Sequence, residues 1–163
     1  MAQRDMFLRI EGVRQGLIRG ESQDRFHRGE IDVMSWSWGM DSPGDAFTQP
    51  TGRTNMELLR VAKPVDSATT ALMAALRSNE LIRRVVLTVR KAGDEALTYL
   101  SITLEQARVV RQHVVGGGGV DSSVLSEEIA LSFQKVRVEY ALQGSRGAGH
   151  GTSTFEAVVN DKT

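Results

Sequence analysis

The chain has no cysteine among its 163 residues. That absence removes disulfides, thiolate nucleophiles and sulfur-ligated metals together, and it fits a fold completed in a reducing compartment. An excess of charge is missing as well. Twenty Lys and Arg balance twenty Asp and Glu, so there is no broad electrostatic grip for nucleic acid or for an anionic membrane surface. No stretch approaches the roughly eighteen consecutive apolar residues of a spanning helix, so no membrane insertion is expected. The first residues, Met1 to Arg9, meet Asp5 early and carry no apolar run, so no Sec-type signal peptide is expected. Export would need a route that reads the folded chain or its assembly. At this length one core suffices, burying about two thirds of the surface of the unfolded chain, and a single domain over residues 1–163 is predicted.

What is present is mostly strand. Both tryptophans lie in Glu30 to Met40, where period-two alternation predicts a strand from Ile31 to Trp38. It sets Ile31, Val33, Ser35 and Ser37 on one face and Asp32, Met34, Trp36 and Trp38 on the other. The tryptophan row is expected to pack on a second layer, with Gly39 ending the strand. Before it, Asp5 to Ile10 predicts a strand with Met6, Leu8 and Ile10 opposite Phe7 and Arg9. Glu11 to Gly29 reads as an irregular connection that only Val13, Leu17, Ile18 and Phe26 could pin. After it, Met40 to Thr54 holds two prolines and no apolar period, and predicts a long extended loop or a twisted hairpin.

Asn55 to Val61 predicts another strand. A helix then starts at Asp66 or Ser67, either of which could cap it, and runs with Ala68, Ala71, Leu72, Ala75 and Leu76 on one face to a left-handed stop at Asn79. Arg84 to Lys91 and Ala96 to Leu104 predict a hairpin across Ala92 to Glu95. A bulge is expected at Glu105-Gln106, before Val109, Val110, Val114 and Val115 resume an apolar spacing. Val124 to Tyr140 predicts one long strand coiled at Gln134-Lys135, or else two strands without a turn between them. Gln143 to Gly151 reads as a turn, Ser153 to Val159 as a last strand, and Asn160 to Thr163 as a frayed end.

Catalytic patterns do not assemble. His27, His113 and His150 lie in separate segments with no ligand-spaced partner. The consecutive glycines Gly116 to Gly119 lack the lysine of a phosphate loop and serve better as a flexible connection. Glu127 and Glu128 are adjacent on a strand and so point to opposite faces, which denies them a paired role. The basic pairs Arg83-Arg84 and Arg90-Lys91 lack interleaved aromatics and read as a solvated rim or an intersubunit charge pair. No catalytic, cofactor-binding or metal-binding residue is assigned, and an enzyme is not expected. A hydrolase with an atypical site, or a monomeric β-sandwich that binds a peptide or glycan, are the competing classes.

The order of motifs resembles the Hcp family, the haemolysin-coregulated tube protein of bacterial type VI secretion. The resemblance runs through Asp5-Met6-Phe7-Leu8-Arg9-Ile10, Gly20-Glu21-Ser22-Gln23-Asp24 with His27, and Glu30 to Gly39. It continues through Lys63-Pro64-Val65-Asp66-Ser67-Ala68-Thr69, Val85 to Gly93, Tyr99 to Leu104, and Glu127 to Phe133 with Val136 and Tyr140. It implies a mainly β protein, a small two-sheet β-barrel with one flanking helix, assembling as a homohexameric ring that stacks into a tube. The implied partners are a VgrG-type spike protein, a contractile sheath and small effectors riding in the lumen. The implied location is cytoplasmic before firing and secreted afterwards, without a cleaved signal peptide. Met40 to Thr54 would be the family's arm toward a neighbouring subunit or ring. There the chain departs from the plainer glycine-rich loop, and its Glu11 to Gly20 connection is longer than the family's usual link.

Overall fold

The computed structural model describes residues 5–42, 54–91, 97–117, 125–143 and 149–159. Seven strands, β1 (Met6–Gly12), β2 (Gly16–Ile18), β3 (Ile31–Asp32), β4 (Ser35–Ser37), β5 (Met40–Asp41), β6 (Asn55–Met56) and β7 (Leu59–Pro64), precede helix α1 (Ala68–Ser78). Strands β8 (Ile82–Arg90), β9 (Thr98–Gly116), β10 (Leu125–Ser132), β11 (Lys135–Gln143) and β12 (Gly149–Val158) follow it. Strand β9 is the hub. One of its edges pairs with β8, while its other edge takes β11 near Leu100 to Glu105 and β10 from Arg108 to Gly116. From there β8 leads to β1 with β2 and β3, β10 leads to β7 and β4, and β11 leads to β12, ten strands in all. Strands β5 and β6 form a separate two-stranded ribbon.

The expected two-sheet barrel does not form. Among the described residues the pairings run from β2 to β4 without returning, so the strands make one open, forked sheet with a flanking helix. The cause lies in the tryptophan segment, which would have to be one continuous strand to join both ends of the order. Instead it breaks at Met34. Ile31 sits opposite Leu8 of β1, and Trp36 sits opposite Val61 of β7. Two backbone bonds occupy the break, with Val33 N–H donating to Met6 O at 3.0 Å and Met34 N–H to Ala62 O at 2.8 Å. The break also divides the expected face: Ile31 and Val33 are buried, whereas Ser35 and Ser37 are exposed. Trp36 and Trp38 pack against the core while remaining partly exposed, the Trp38 ring lying 6.3 Å from that of Phe133.

Register explains the core. Directly opposed residues of antiparallel strands share a face, so Ile10, Val85, Leu104 and Val136 form one tier, all fully buried. Leu8, Leu87 and Ile102 form the next tier. Leu59, Val61, Ile129 and Leu131 supply the other half of the core, and Ala68, Leu72 and Ala75 of α1 close over it. The bulge expected at Glu105-Gln106 appears at Gln106, whose φ is 55°. Gln134 N–H donates to both Glu105 O and Gln106 O across that corner. Strands β10 and β11 are therefore the two-strand alternative, laid end to end along β9 and parted only at Phe133-Gln134.

The helix ends as its sequence predicts, at Asn79 with φ 56° and ψ 42°. Of the two candidate caps Asp66 is the one that acts, its Oδ1 accepting from Ala68 N–H at 2.9 Å, while Ser67 Oγ donates to Arg19 O. The strand expected over Asn55 to Val61 divides into β6 and β7, and β12 begins earlier than Ser153. The connection Glu11 to Gly29 departs most from expectation. Ile18 is its one fully buried apolar pin, since Val13 and Phe26 are exposed. Polar contacts hold it instead: Glu80 accepts from the N–H groups of Arg14 and Gln15 at 3.0 and 2.9 Å and from Gln15 Nε2 at 3.0 Å. A Cβ on Gly12 would lie 2.2 Å from Glu80 Oε2, so any larger residue must push that carboxylate out of its bonds to the turn. The expected turn at Ala92 to Glu95, the tip of the Met40 to Thr54 arm, Gly118 and Gly119, the middle of the Gln143 to Gly151 turn and the frayed end lie outside the described residues.

Candidate functional site

Some of the candidate chemical residues gather in two buried clusters. The first lies on the outer face of β1, where Phe7 is fully buried although its neighbour Arg9 is exposed. His27 stacks on Phe7 with ring centroids 4.3 Å apart and planes 9° from parallel. Contrary to the spacing argument, His27 does have an acidic partner, its Nδ1 lying 3.0 Å from Glu30 Oε2. Arg90 covers the other side of Phe7, its guanidinium carbon 5.0 Å from the ring centroid. It is buried, with Nε 3.3 Å from Asp5 Oδ1 and Nη2 2.5 Å from Asp24 Oδ2, so it belongs to no solvated rim. The Arg90 hydrogen bond holds the Asp24 carboxyl below its ordinary 3.8 despite burial. Arg83, Arg84 and Lys91 are exposed as expected.

The second cluster lies under α1. Lys63 and Glu127 are both fully buried and ion-paired, and Lys63 Nζ also donates to Asp66 Oδ1 at 2.9 Å. Thr69 Oγ1 donates to Glu127 Oε1 at 2.7 Å, and Gln112 Nε2 to Glu127 Oε2 at 2.7 Å. Burial pushes the Glu127 carboxyl up, but the bonds from Gln112, Lys63 and Thr69 outweigh it and leave the group below its ordinary 4.5. Glu128 points the other way, toward Arg60 at 3.7 Å, as adjacent strand positions require. The sequence holds a signal for this network, because Lys63 shares parity with Val61 and Leu59, and Glu127 with Ile129 and Leu131. A charge on an apolar parity must find its partner inside.

His113 is exposed on β9 opposite Glu128, away from His27, and the His150 side chain lies outside the described residues. Among the described residues no three His, Asp or Glu side chains gather as they would around a metal ion. Broad surfaces are more prominent. The outer face of β1, β8, β9, β11 and β12 carries both signs in rows, Arg9, Val86, Thr103, Arg137 and Glu156 in one, and Glu11, Arg84, Glu105 and Lys135 in the next. Neighbours pair, as in Lys135 with Glu156 at 2.6 Å. The inner face behaves differently. Its apolar tiers continue past the covered core onto β11 and β12, where Tyr140 and Phe155 are exposed and Val138 is partly buried. At the ends of these strands Met6, Val89, Tyr99 and Tyr140 line an open groove with Asp5, Arg90 and Lys91. A further apolar patch, Val114 and Leu125, lies at the far end of the β9–β10 hairpin.

Exposed apolar strand faces of this kind are surfaces suited to protein contacts. Residues 7–140 match the family described as Type VI secretion system effector, Hcp. Protein hcp1 of Pseudomonas aeruginosa is 38% identical over 151 residues, covering 90% of this chain and 89% of that one. Two solved structures align over nearly their whole length. A type VI secretion system effector from Yersinia pestis has 27% identity and a TM-score of 0.76, covering 95% of this chain and 100% of that one. Hcp1 from Salmonella typhimurium has 29% identity and a TM-score of 0.78, covering 97% and 96%. The chain belongs to the Hcp family, the secreted tube proteins of the type VI secretion system.

Proposed function

We propose that the chain, acting as one domain over 1–163, is a ring-forming subunit of the type VI inner tube. Six copies close into a ring around a channel, and rings stack into a tube that a contractile sheath drives outward beneath a VgrG-type spike. Small effectors travel in the channel. The role is mechanical, with no reaction of its own, and the protein waits in the cytoplasm before it is secreted. The arm over residues 40–54 supplies a contact to the neighbouring subunit or ring, its base being the β5–β6 ribbon where Met40 faces Met56. The observation that carries the reading is similarity to protein hcp1 over nine tenths of this chain, without a large insertion or a missing half.

The test is the mass in solution. Light scattering on the purified full chain is expected to give six times the chain mass at micromolar concentration, with rings in negative-stain images. A monomer at every concentration tested, with no rings, overturns the proposal and favours the monomeric β-sandwich binding module.

A further inference from the structure

We propose that the connection from β2 to β3, at residues 19–28, is a docking site for an acidic segment of a different protein, with Phe26 as its apolar anchor and Arg19, Arg25 and Arg28 as its cations. The inference does not depend on the ring reading. Phe26 is 64% exposed, more than any other large apolar side chain among the described residues. The loop that carries it is nevertheless tied down. Gly20 N–H donates to Gly29 O at 2.8 Å and Gly29 N–H to Ser22 O at 3.0 Å, which closes the neck. At the tip Asp24 Oδ1 accepts from Phe26 N–H at 2.9 Å, and Asp24 O accepts from His27 N–H at 3.2 Å. Asp24 pairs with Arg90 and His27 stacks on Phe7, so the residues on both sides of Arg25-Phe26 are held. A ring presented on a fixed loop loses little freedom on binding, which makes it an efficient anchor.

The charges of this loop are sorted by direction. Asp24 and Glu30 turn inward to Arg90 and His27, with 13% and 14% of their side chains exposed, and Glu21 accepts from Ser67 N–H beside the start of α1. The arginines turn outward. Arg19, Arg25 and Arg28 are exposed, and among the described residues none of them makes an ion pair. The Arg25 guanidinium carbon lies 5.5 Å from the Phe26 ring centroid, while Arg19 and Arg28 each precede one end of the Gly20–Gly29 bond. Ring and cations are thus offered together with the nearby carboxylates already engaged. The complement is a run of carboxylates, which guanidinium groups take through paired hydrogen bonds, beside an apolar side chain that covers Phe26. Longer polyanions fit less well. The acids in rows on the sheet's outer face and a net charge of zero oppose a phosphate backbone, and anionic lipid is recognised by clusters of about four to eight Lys or Arg.

The probe is a fluorescently labelled synthetic peptide of Glu with interleaved Leu, followed by anisotropy on the full chain. Binding is expected at low salt and should weaken as salt rises. Phe26→Ser, and separately Arg25→Glu with Arg28→Glu, are each expected to weaken it about tenfold or more. Phe26→Trp should retain it, as should Arg84→Glu on the outer face of β8. All these side chains are exposed, so unfolding midpoints should match the parent's. The same peptide with Ser in place of Leu is expected to bind as weakly as the parent peptide binds Phe26→Ser. No binding at low salt, binding that the changes at Phe26 or at Arg25 and Arg28 leave intact, or equal binding of the Ser peptide overturns the proposal. So does tighter binding of an oligodeoxythymidine or of phosphatidylserine vesicles that is lost in Phe26→Ser, which would give the surface to a polyanion instead.

Discussion

At the residue scale, the buried charges among the described residues are few and each has a named partner. Lys63 is the clearest case. Lys63→Met leaves Glu127 buried without its cation, and breaking one side of a buried pair costs about 3–5 kcal/mol. Urea unfolding at neutral pH should show that loss. Acid acts on the same carboxyl. Because the folded protein holds Glu127 below 4.5, its contribution is complete above that value and disappears as pH falls through the lower, folded value. Stability should therefore decline on acidification, and Glu127→Gln should flatten the decline while lowering stability at pH 7. Gly12 gives a second test. Gly12→Ala forces a Cβ against Glu80, and overpacking of this kind costs about 1–3 kcal/mol. Combined with Glu80→Ala, the loss should be smaller than the two single losses added, which a double-mutant cycle measures.

Elements show which parts of the fold could be read from residues and which could not. The helix was legible to its last residue, since Asn79 adopts the left-handed stop its side chain tolerates. The corner at Gln106 was legible too, because the apolar spacing loses its register there. The tryptophan strand was not, because alternation continues across Met34 while the backbone leaves β1 for β7, a change of partner that no local pattern records. That break sets the expected cost of Trp36→Ala at about 2–3 kcal/mol, below the 3–5 kcal/mol or so of a core aromatic, because the indole is only partly buried. Denaturant midpoints decide between the two. The Glu11 to Gly29 connection was misread for a different reason: its pins are Asp24, His27 and Ser22, polar residues that composition assigns to solvent. Arg90→Met should free it. Amide exchange is expected to quicken at Gly20, Ser22 and Gly29, whose N–H groups bond to Gly29, Glu30 and Ser22 carbonyls, and to stay unchanged along β9.

The whole molecule is organised by β9, which pairs along nearly all of its nineteen residues and carries a partner on each edge from Leu100 to Glu105. Resemblance reached the family, yet the open fork of the sheet depends on long-range pairings that a linear pattern does not contain. The fork also sets how the protein bears load. Force applied along β9 acts on two antiparallel ladders in shear, so their hydrogen bonds must yield together, whereas force drawing β12 away from β11 opens a single ladder one bond at a time. Pulled in an optical trap from the two ends of β9, the protein should resist far larger forces than when β12 is peeled sideways. A molecule built in this way is stiff along one line and yielding across another.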